Sequence, residues 1–254
     1  GQKIISVAIF DDVIALTILG ILLDLKDVEP TFANISQATV FTVLKLVVFL
    51  IIIALTYKLI QKLAQKENFI ENQLNLILTF LKGKESLFAV FFVFILIFAT
   101  MTESIGLHFI IGAFFASMLI SKELVGEKHL ETFHNTTNSM AMGFLAPIFF
   151  AGIGLEFQFS SIQNYPLLFA IIGVSFLSKI IGGYIGGRFA RLNHKVSLAL
   201  GIGLNARGIM ELVIANIAYK AGIINTEIFS MLVIMGLITT LSTPFLLKRA
   251  FKSI

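Results

Sequence analysis

Hydrophobic runs of about twenty residues alternate with short polar connections along almost the whole chain. A helix of this length spans the ~30 Å hydrocarbon core of a bilayer. The pattern therefore predicts an all-α, polytopic membrane protein with about eight transmembrane helices. They lie at residues 3–23, 37–64, 86–102, 107–121, 142–157, 166–191, 196–221 and 227–251. The fourth and fifth are short and interrupted by glycine, so we expect them to tilt or kink.

The composition argues against a soluble domain. Of the 254 residues, 57% are hydrophobic and only 13% are charged, whereas soluble domains carry about 25% charged residues. The chain has no cysteine, which excludes disulfides, thiolate nucleophiles and thiolate metal sites. Its net charge of +4 fits basic anchoring at the cytoplasmic face of a membrane, so we expect no nucleic-acid partner.

Lysine and arginine are distributed unevenly between the two sides of the predicted helices. If the eight spans alternate across the bilayer, one side holds only Lys26 and Lys220. Basic residues concentrate in cytoplasmic loops, so we expect the richer side, and with it both ends of the chain, to be cytoplasmic. That side holds Lys3, Lys58, Lys62, Lys66, Lys82, Lys84, Lys122, Lys128, Arg188, Arg191, Lys195, Lys248, Arg249 and Lys252.

Several charged residues fall deep inside predicted helices. Asp12 lies about 12 Å from the start of the first helix, beside Asp11, and Lys179 and Arg207 lie near the centres of two later ones. Each would cost roughly 2.5–3.5 kcal/mol if it faced lipid. We therefore expect them to pair or to line a hydrated cavity. Ion pairs that merely hold helices in register are a weaker interpretation, because buried pairs stabilise little compared with apolar packing.

The two adjacent aspartates have to face different neighbours, because successive helical positions point about 100° apart. We expect one to pair with a cation such as Lys179 and the other to remain an oxygen ligand for Na⁺, Li⁺ or H⁺. Competition for one carboxylate is the simplest way to couple two ions in exchange. Ala8, one turn before Asp12, offers no side-chain oxygen, so further ligands must come from water, backbone or other helices.

The stretch "GIGLNARGIMELVI" at residues 201–214 weakens a helix in the middle of a span. Gly203, Asn205 and Gly208 predict a broken helix near residues 203–208. Unwound backbone at this depth is tolerated where it is buried or lines a cavity, and transporters use such breaks to bind ions. Arg207 and Glu211 are four residues apart and can pair along one helix face.

Other polar residues inside or beside the predicted spans carry less information. Glu103 and Glu156 lie near helix ends, where we expect them to snorkel or to line the mouth of a cavity, and Lys45 is expected to snorkel as well. His129 and His134 fall between the fourth and fifth predicted spans, in a loop or at a helix end, where no metal site is expected.

Five segments, taken together and in order, resemble the cation:proton antiporter-2 family of monovalent cation/proton exchangers. They are "AIFDDVIAL", "ESIGLHFIIGAFFASMLIS", "FLAPIFFAGIGLEF", "FLSKIIGGYIGG" and "GLNARGIMELVI". The resemblance implies an inverted-repeat antiporter fold with a broken helix. It also implies further N-terminal helices, which are missing from this chain.

The resemblance assigns roles to individual residues. It implies that Asp12 binds the transported cation, Na⁺, or the proton, and that Asp11 and Lys179 form a salt bridge. Arg207, Gly208 and Glu211 are more similar to the sodium-exchanger branch than to the potassium-efflux branch. In domain terms, it implies an ion-translocating core at residues 1–24 and 166–254, a long linking helix at 37–66 and a scaffold for homodimerisation at 86–157.

The leading hypothesis is a secondary active transporter that exchanges Na⁺ (or Li⁺) for H⁺ by alternating access, without a cofactor, in a cell membrane. A role in pH homeostasis would follow. K⁺/H⁺ exchange by the same machinery is the nearest alternative, and a channel or a non-transporting sensor is weaker. An enzyme such as an aspartyl intramembrane protease is disfavoured, because its two carboxylates lie on separate helices with a Gly-x-Gly-Asp motif.

Overall fold

The computed structural model describes residues 2–26, 31–64, 85–121, 126–206 and 209–252. These residues form an all-helical structure. The helices are α1 (Gln2–Asp24), α2 (Phe32–Ala64), α3 (Glu85–Ser104), α4 (Phe109–Leu119), α5 (Glu127–Met140), α6 (Ala146–Glu156), α7 (Tyr165–Phe189), α8 (His194–Gly203), α9 (Ile209–Lys220) and α10 (Thr226–Lys252).

Most helices lie where the hydrophobic runs predict them, and the prediction of an all-α membrane protein is confirmed. The predicted span at residues 196–221 contains two helices, because α8 ends at Gly203 and α9 begins at Ile209. The chain between them turns, with the Asn205 backbone N–H donating to the Ile202 carbonyl at 3.1 Å. A helix break is therefore present near residues 203–208. Arg207 and Gly208 themselves lie outside the described residues.

The prediction of a connection before the fifth span was wrong. Residues 127–156 form one helical segment, in which a π-helical turn (Ala141–Leu145) joins α5 to α6. Helix α5 is polar, so its sequence contains no apolar run of the kind that predicts a membrane span. Helix α5 contacts α3, where Phe133 packs edge-on against Phe91 with ring centroids 4.9 Å apart. His129 and His134 accordingly lie on a helix.

Large apolar side chains cover the outside of the described helices. Phe10 on α1, Phe169 on α7 and Phe245 on α10 are each at least 70% exposed. Four helical segments of the described chain are long and apolar enough to cross a membrane, at Phe32–Lys62, His129–Glu156, Tyr165–Phe189 and Thr226–Ala250. Lipid is the solvent that such surfaces require, since exposed apolar area of this extent is unfavourable in water.

The chain divides into two compact units. Unit 1 comprises Gly1–Lys26 and Ala151–Ile254, so it holds α1, the end of α6 and α7 to α10. Within it, α7 and α8 form a hairpin, α10 packs against α7, α8 and α9, and α1 packs against α8 and α9. The hairpin is tight because glycines face each other: a Cβ on Gly183 would lie 2.5 Å from the Gly201 Cα.

Unit 2 comprises Asp27–Phe150 and contains α2 to α5. Helices α3 and α4 form its closest pair. Between them, Gly106 adopts a positive φ of 77°, which favours glycine. Helix α2 contacts α4 through Phe49 and Phe115, whose rings meet edge to face at 6.1 Å.

Candidate ion-binding site

Lys179 on α7 forms an ion pair with Asp11 on α1, its Nζ donating to the Asp11 Oδ2. The Lys179 side chain is 19% exposed and that of Asp11 is 44% exposed. The pair therefore brings together, inside unit 1, two charges that are 168 residues apart in the sequence. Each of these residues lies within an otherwise apolar helix, where an unpaired charge would be unfavourable.

A cavity of about 850 Å³ lies against this ion pair. Asp11 and Lys179 line it, together with Gly182 and Gly186 from α7 and Leu204 at the end of α8. The two glycines face open space, since a Cβ on either would meet no atom within 4 Å. The paired charges consequently border an open volume within unit 1, and an ion or water molecule has room to approach them.

Asp12 points away from Asp11 and has different neighbours, as adjacent positions on one helix require. It is partly buried and interacts electrostatically with Glu211 on α9, as well as with Asp11 and Lys179. In the described part of the chain it forms no ion pair of its own. The charged groups that act on Asp12 within the described ranges are thus the carboxylates of Asp11 and Glu211 and the Lys179 ammonium. A carboxylate in such surroundings is a suitable ligand for a cation.

The carboxylates do not form a ready-made metal site. Over the described ranges, no three histidine, aspartate or glutamate side chains converge closely enough to hold one metal ion. A cation at Asp12 would therefore complete its ligand shell with water, with backbone oxygens or with groups outside those ranges. Oxygen ligands of this kind suit hard cations.

The helix break contributes a second unusual feature. Asn205 is fully buried, and neither its Oδ1 nor its Nδ2 has a hydrogen-bond partner among the described residues. An unsatisfied buried polar group costs about 1–3 kcal/mol. Gly203 at the end of α8 is buried as well. The sequence predicted Asn205 as a helix-breaking residue, but its complete burial is information that only the structure supplies.

Glu156 has partners that the sequence did not indicate. Its Oε2 accepts a hydrogen bond from the Asn216 Nδ2 at 2.5 Å, and its Oε1 lies 3.4 Å from the Lys220 Nζ. Both partners are on α9, 60 and 64 residues further along the chain. Glu156 is therefore tied to a neighbouring helix within unit 1 as well as lying at a helix end. No local sequence signal marks such a pairing, because it depends on how α6 and α9 pack.

Two other polar residues singled out in the sequence lie together in unit 2. The Glu103 Oε2 accepts the backbone N–H of Phe109 at 3.1 Å, so this side chain holds the first turn of α4. The Lys45 ammonium lies beside the connection that precedes this turn, where a Cβ on Gly106 would stand 2.8 Å from Nζ. Both side chains therefore contact the connection between α3 and α4.

Comparison with known proteins gives a consistent result. The sequence profile of the transmembrane sodium/hydrogen exchanger family matches residues 1–252. A Na⁺/H⁺ antiporter of Enterococcus hirae is 36% identical over 155 residues, which are 61% of this chain and 39% of that protein. The Na⁺/H⁺-K⁺ antiporter GerN of Bacillus cereus is 26% identical over 252 residues, 99% of this chain and 60% of GerN.

A third relative is named for K⁺ and not for Na⁺. The K⁺/H⁺ antiporter 1 of Saccharomyces cerevisiae is 28% identical over 156 residues, 60% of this chain and 18% of that protein. The chain thus spans less than two thirds of the length of each of these relatives. All three are named as transporters and none as an enzyme. Because the family profile covers nearly the whole chain, the protein belongs to the transmembrane sodium/hydrogen exchanger family.

Proposed function

We propose that the protein exchanges a monovalent cation for protons across a membrane, and that Asp12 carries whichever of the two is bound. The observation that supports this most directly is the different pairing of the two aspartates. Lys179 forms an ion pair with Asp11, whereas Asp12 interacts electrostatically with a second carboxylate, that of Glu211. A carboxylate in that position is stabilised by binding either a proton or a cation, and it cannot bind both at once.

The remaining residues have supporting roles in this proposal. Asp11 and Lys179 compensate each other's charge and hold α1 against α7. Arg207, which lies outside the described residues, is four positions before Glu211 in the sequence, and we propose that it compensates the charge of Glu211. In this proposal Gly203, Asn205 and Gly208 disfavour a continuous helix between α8 and α9, because transporters use such breaks to present backbone groups to ions. Movement of the site between the two sides of the membrane then gives alternating access.

We propose Na⁺, or Li⁺, as the exchanged cation. The relatives from Enterococcus hirae and Bacillus cereus are named for Na⁺/H⁺ exchange. Exchange of K⁺ for H⁺ is the second candidate, because one relative is named for it and GerN is named for both cations. Both candidates use the same carboxylate, so they differ only in the size of the ion that the site accepts.

The proposal extends to topology and assembly. Unit 1 holds every charged residue of the candidate site, so we assign it to the moving, ion-carrying core, which corresponds to the sequence-based division at residues 1–24 and 166–254. Unit 2, with the predicted linking helix at 37–66 and most of the predicted scaffold at 86–157, is assigned to a dimerisation scaffold. The distribution of basic residues supports a cytoplasmic location for both ends of this chain, and we propose that the exchanger acts in pH homeostasis in a cell membrane.

The test uses full-length protein in liposomes loaded with a pH-sensitive dye. A pH gradient is imposed, and Na⁺, Li⁺ and K⁺ are added in turn under a clamped membrane potential. We expect Na⁺ and Li⁺ to dissipate the gradient and Asp12→Asn to reduce this to the background of empty liposomes. Glu131→Gln, which removes an exposed carboxylate on α5, is the matched control and should transport normally. Undiminished flux in Asp12→Asn would refute the role of Asp12, and a response to K⁺ alone would favour the second candidate.

A further inference from the structure

Helix α9 is held at its C-terminal end by a small polar cluster that the proposed ion chemistry does not use. Glu156, the last residue of α6, contacts Asn216 at 2.5 Å and Lys220 at 3.4 Å. These two partners are four residues apart and thus lie on one face of α9. The Glu156 side chain is 28% exposed, whereas that of Lys220 is 64% exposed. The Asn216 hydrogen bond is consequently the better-shielded and shorter of the two contacts.

The helix break before α9 gives these contacts a role in orienting α9. A continuous helix fixes the direction of its second half through backbone hydrogen bonds, but α8 and α9 are separated at residues 204–208. The orientation of α9 therefore depends on contacts along its own length. At its C-terminal end these include Tyr219, which stacks on Phe229 of α10 at 4.7 Å, and the Glu156 cluster on α6.

The opposite end of α9 carries the candidate ion site. Glu211 lies in its first turn and interacts electrostatically with Asp12. Helix α9 has 12 residues and is therefore about 18 Å long, so a small tilt about its C-terminal end displaces Glu211 relative to Asp12. Geometry at an ion site is sensitive to displacements of this kind, because Coulomb energies change steeply at short distance.

We propose that Glu156 is a positioning residue for transport: through its hydrogen bond to Asn216 it sets the orientation of α9 and thereby the placement of Glu211 beside Asp12. The inference rests on the proposed function of Asp12. The hydrogen bond carries the effect and the negative charge does not, because the exposed Lys220 contact is of the kind that contributes little. An alternative role, in which the Glu156 charge attracts cations, is separated from this one by the variants below.

Four variants of the full-length protein test the hydrogen bond, the Glu156 charge and the Lys220 ion pair separately. Glu156→Gln keeps an oxygen that accepts from Asn216 and removes the charge, whereas Glu156→Leu removes both. Asn216→Leu removes the donor from the other side, and Lys220→Met removes only the exposed ion pair. Each is measured in proteoliposomes for the apparent KM for Na⁺ and for Vmax, and in detergent for Tm.

We expect Glu156→Leu and Asn216→Leu each to raise the apparent KM for Na⁺ about tenfold, since each removes the hydrogen bond that orients α9. Vmax should change much less. Glu156→Gln and Lys220→Met should stay within about twofold of the wild type in KM. The double variant Glu156→Leu/Asn216→Leu should be no worse than either single variant, because both remove the same contact.

The results separate this inference from the proposal on which it rests. A wild type without cation-dependent proton flux overturns both. If the wild type transports, an unchanged KM in both leucine variants overturns the inference alone, even when Tm falls, since a merely structural contact lowers Tm and active fraction without altering KM. If Glu156→Gln raises the KM for Na⁺ as much as Glu156→Leu does, the inference is also overturned. The charge of Glu156 would then carry the effect, and the hydrogen bond would not. Should Glu156→Leu not fold, Asn216→Leu and Glu156→Gln decide the question.

Discussion

Lys179 pairs with Asp11, although Asp12 lies next to Asp11 in sequence and is equally an aspartate. The helical rotation of about 100° between neighbouring positions is the physical reason for this selectivity. Asp11 is turned toward α7 and the cavity, whereas Asp12 has Glu211 of α9 near it. One carboxylate is thus paired with a lysine, whereas the other interacts electrostatically with a second carboxylate, that of Glu211.

The first prediction concerns the stability of this pair. Lys179→Met should lower the unfolding free energy by about 1–2 kcal/mol, which is less than for a fully buried pair because Asp11 is 44% exposed. For a chain of this size the loss corresponds to a Tm about 4 °C lower in detergent. Asp11→Asn/Lys179→Met should recover part of the loss, because no uncompensated carboxylate remains. Lys58→Met, at an exposed position on α2, is the control and should leave Tm unchanged. A double variant less stable than Lys179→Met would contradict the pairing argument.

The second prediction concerns competition between protons and the cation. Protonated Asp12 cannot bind Na⁺, so the apparent KM for Na⁺ should rise as the pH falls through the range in which Asp12 titrates, by up to about tenfold per pH unit. At higher pH the KM should become constant. The charged groups that act on Asp12 in the described structure are Asp11, Glu211 and Lys179.

Sodium saturation curves at a series of pH values measure this dependence. Asp11→Asn removes one neighbouring charge, so it should displace the curve along the pH axis and keep its shape. Glu131→Gln on α5 should leave the curve in place. A KM that is independent of pH throughout the active range would mean that the proton and Na⁺ do not compete for one group.

The charged part of the site was predictable because membrane helices tolerate few charges. Asp11, Asp12 and Lys179 are conspicuous in apolar runs, and helical geometry alone requires the two aspartates to separate. The contacts of Glu156 were not predictable, since Asn216 and Lys220 are ordinary residues near a helix end and meet it only through tertiary packing. Helix α5 was not predicted because its polar sequence contains no membrane-like run, although the helix continues directly into one.

The third prediction uses two adjacent glycines on α7 as a matched pair. Gly183 faces α8 so closely that a Cβ would lie 2.5 Å from the Gly201 Cα, whereas a Cβ on Gly182 would meet nothing within 4 Å. Gly183→Ala should therefore force the helices apart and cost about 1–3 kcal/mol. Gly182→Ala should be neutral or stabilising by up to about 1 kcal/mol, because alanine is the better helix former. Thermal unfolding in detergent measures both, and equal effects at the two positions would contradict the packing of α7 on α8.

The fourth prediction concerns Glu227 in the first turn of α10. Its Oε1 accepts the backbone N–H groups of Gln163 and Asn164, each at 2.9 Å, and so fastens the connection between α6 and α7 to α10. Glu227→Ala leaves both N–H groups without this acceptor, so their hydrogen exchange should accelerate markedly. Exchange in the middle of α7 should stay unchanged, because that helix keeps its own backbone bonds. Glu227→Gln retains a carbonyl oxygen and should restore most of the protection. If exchange at residues 163 and 164 is the same in Glu227→Ala and the wild type, the carboxylate does not hold this connection in solution.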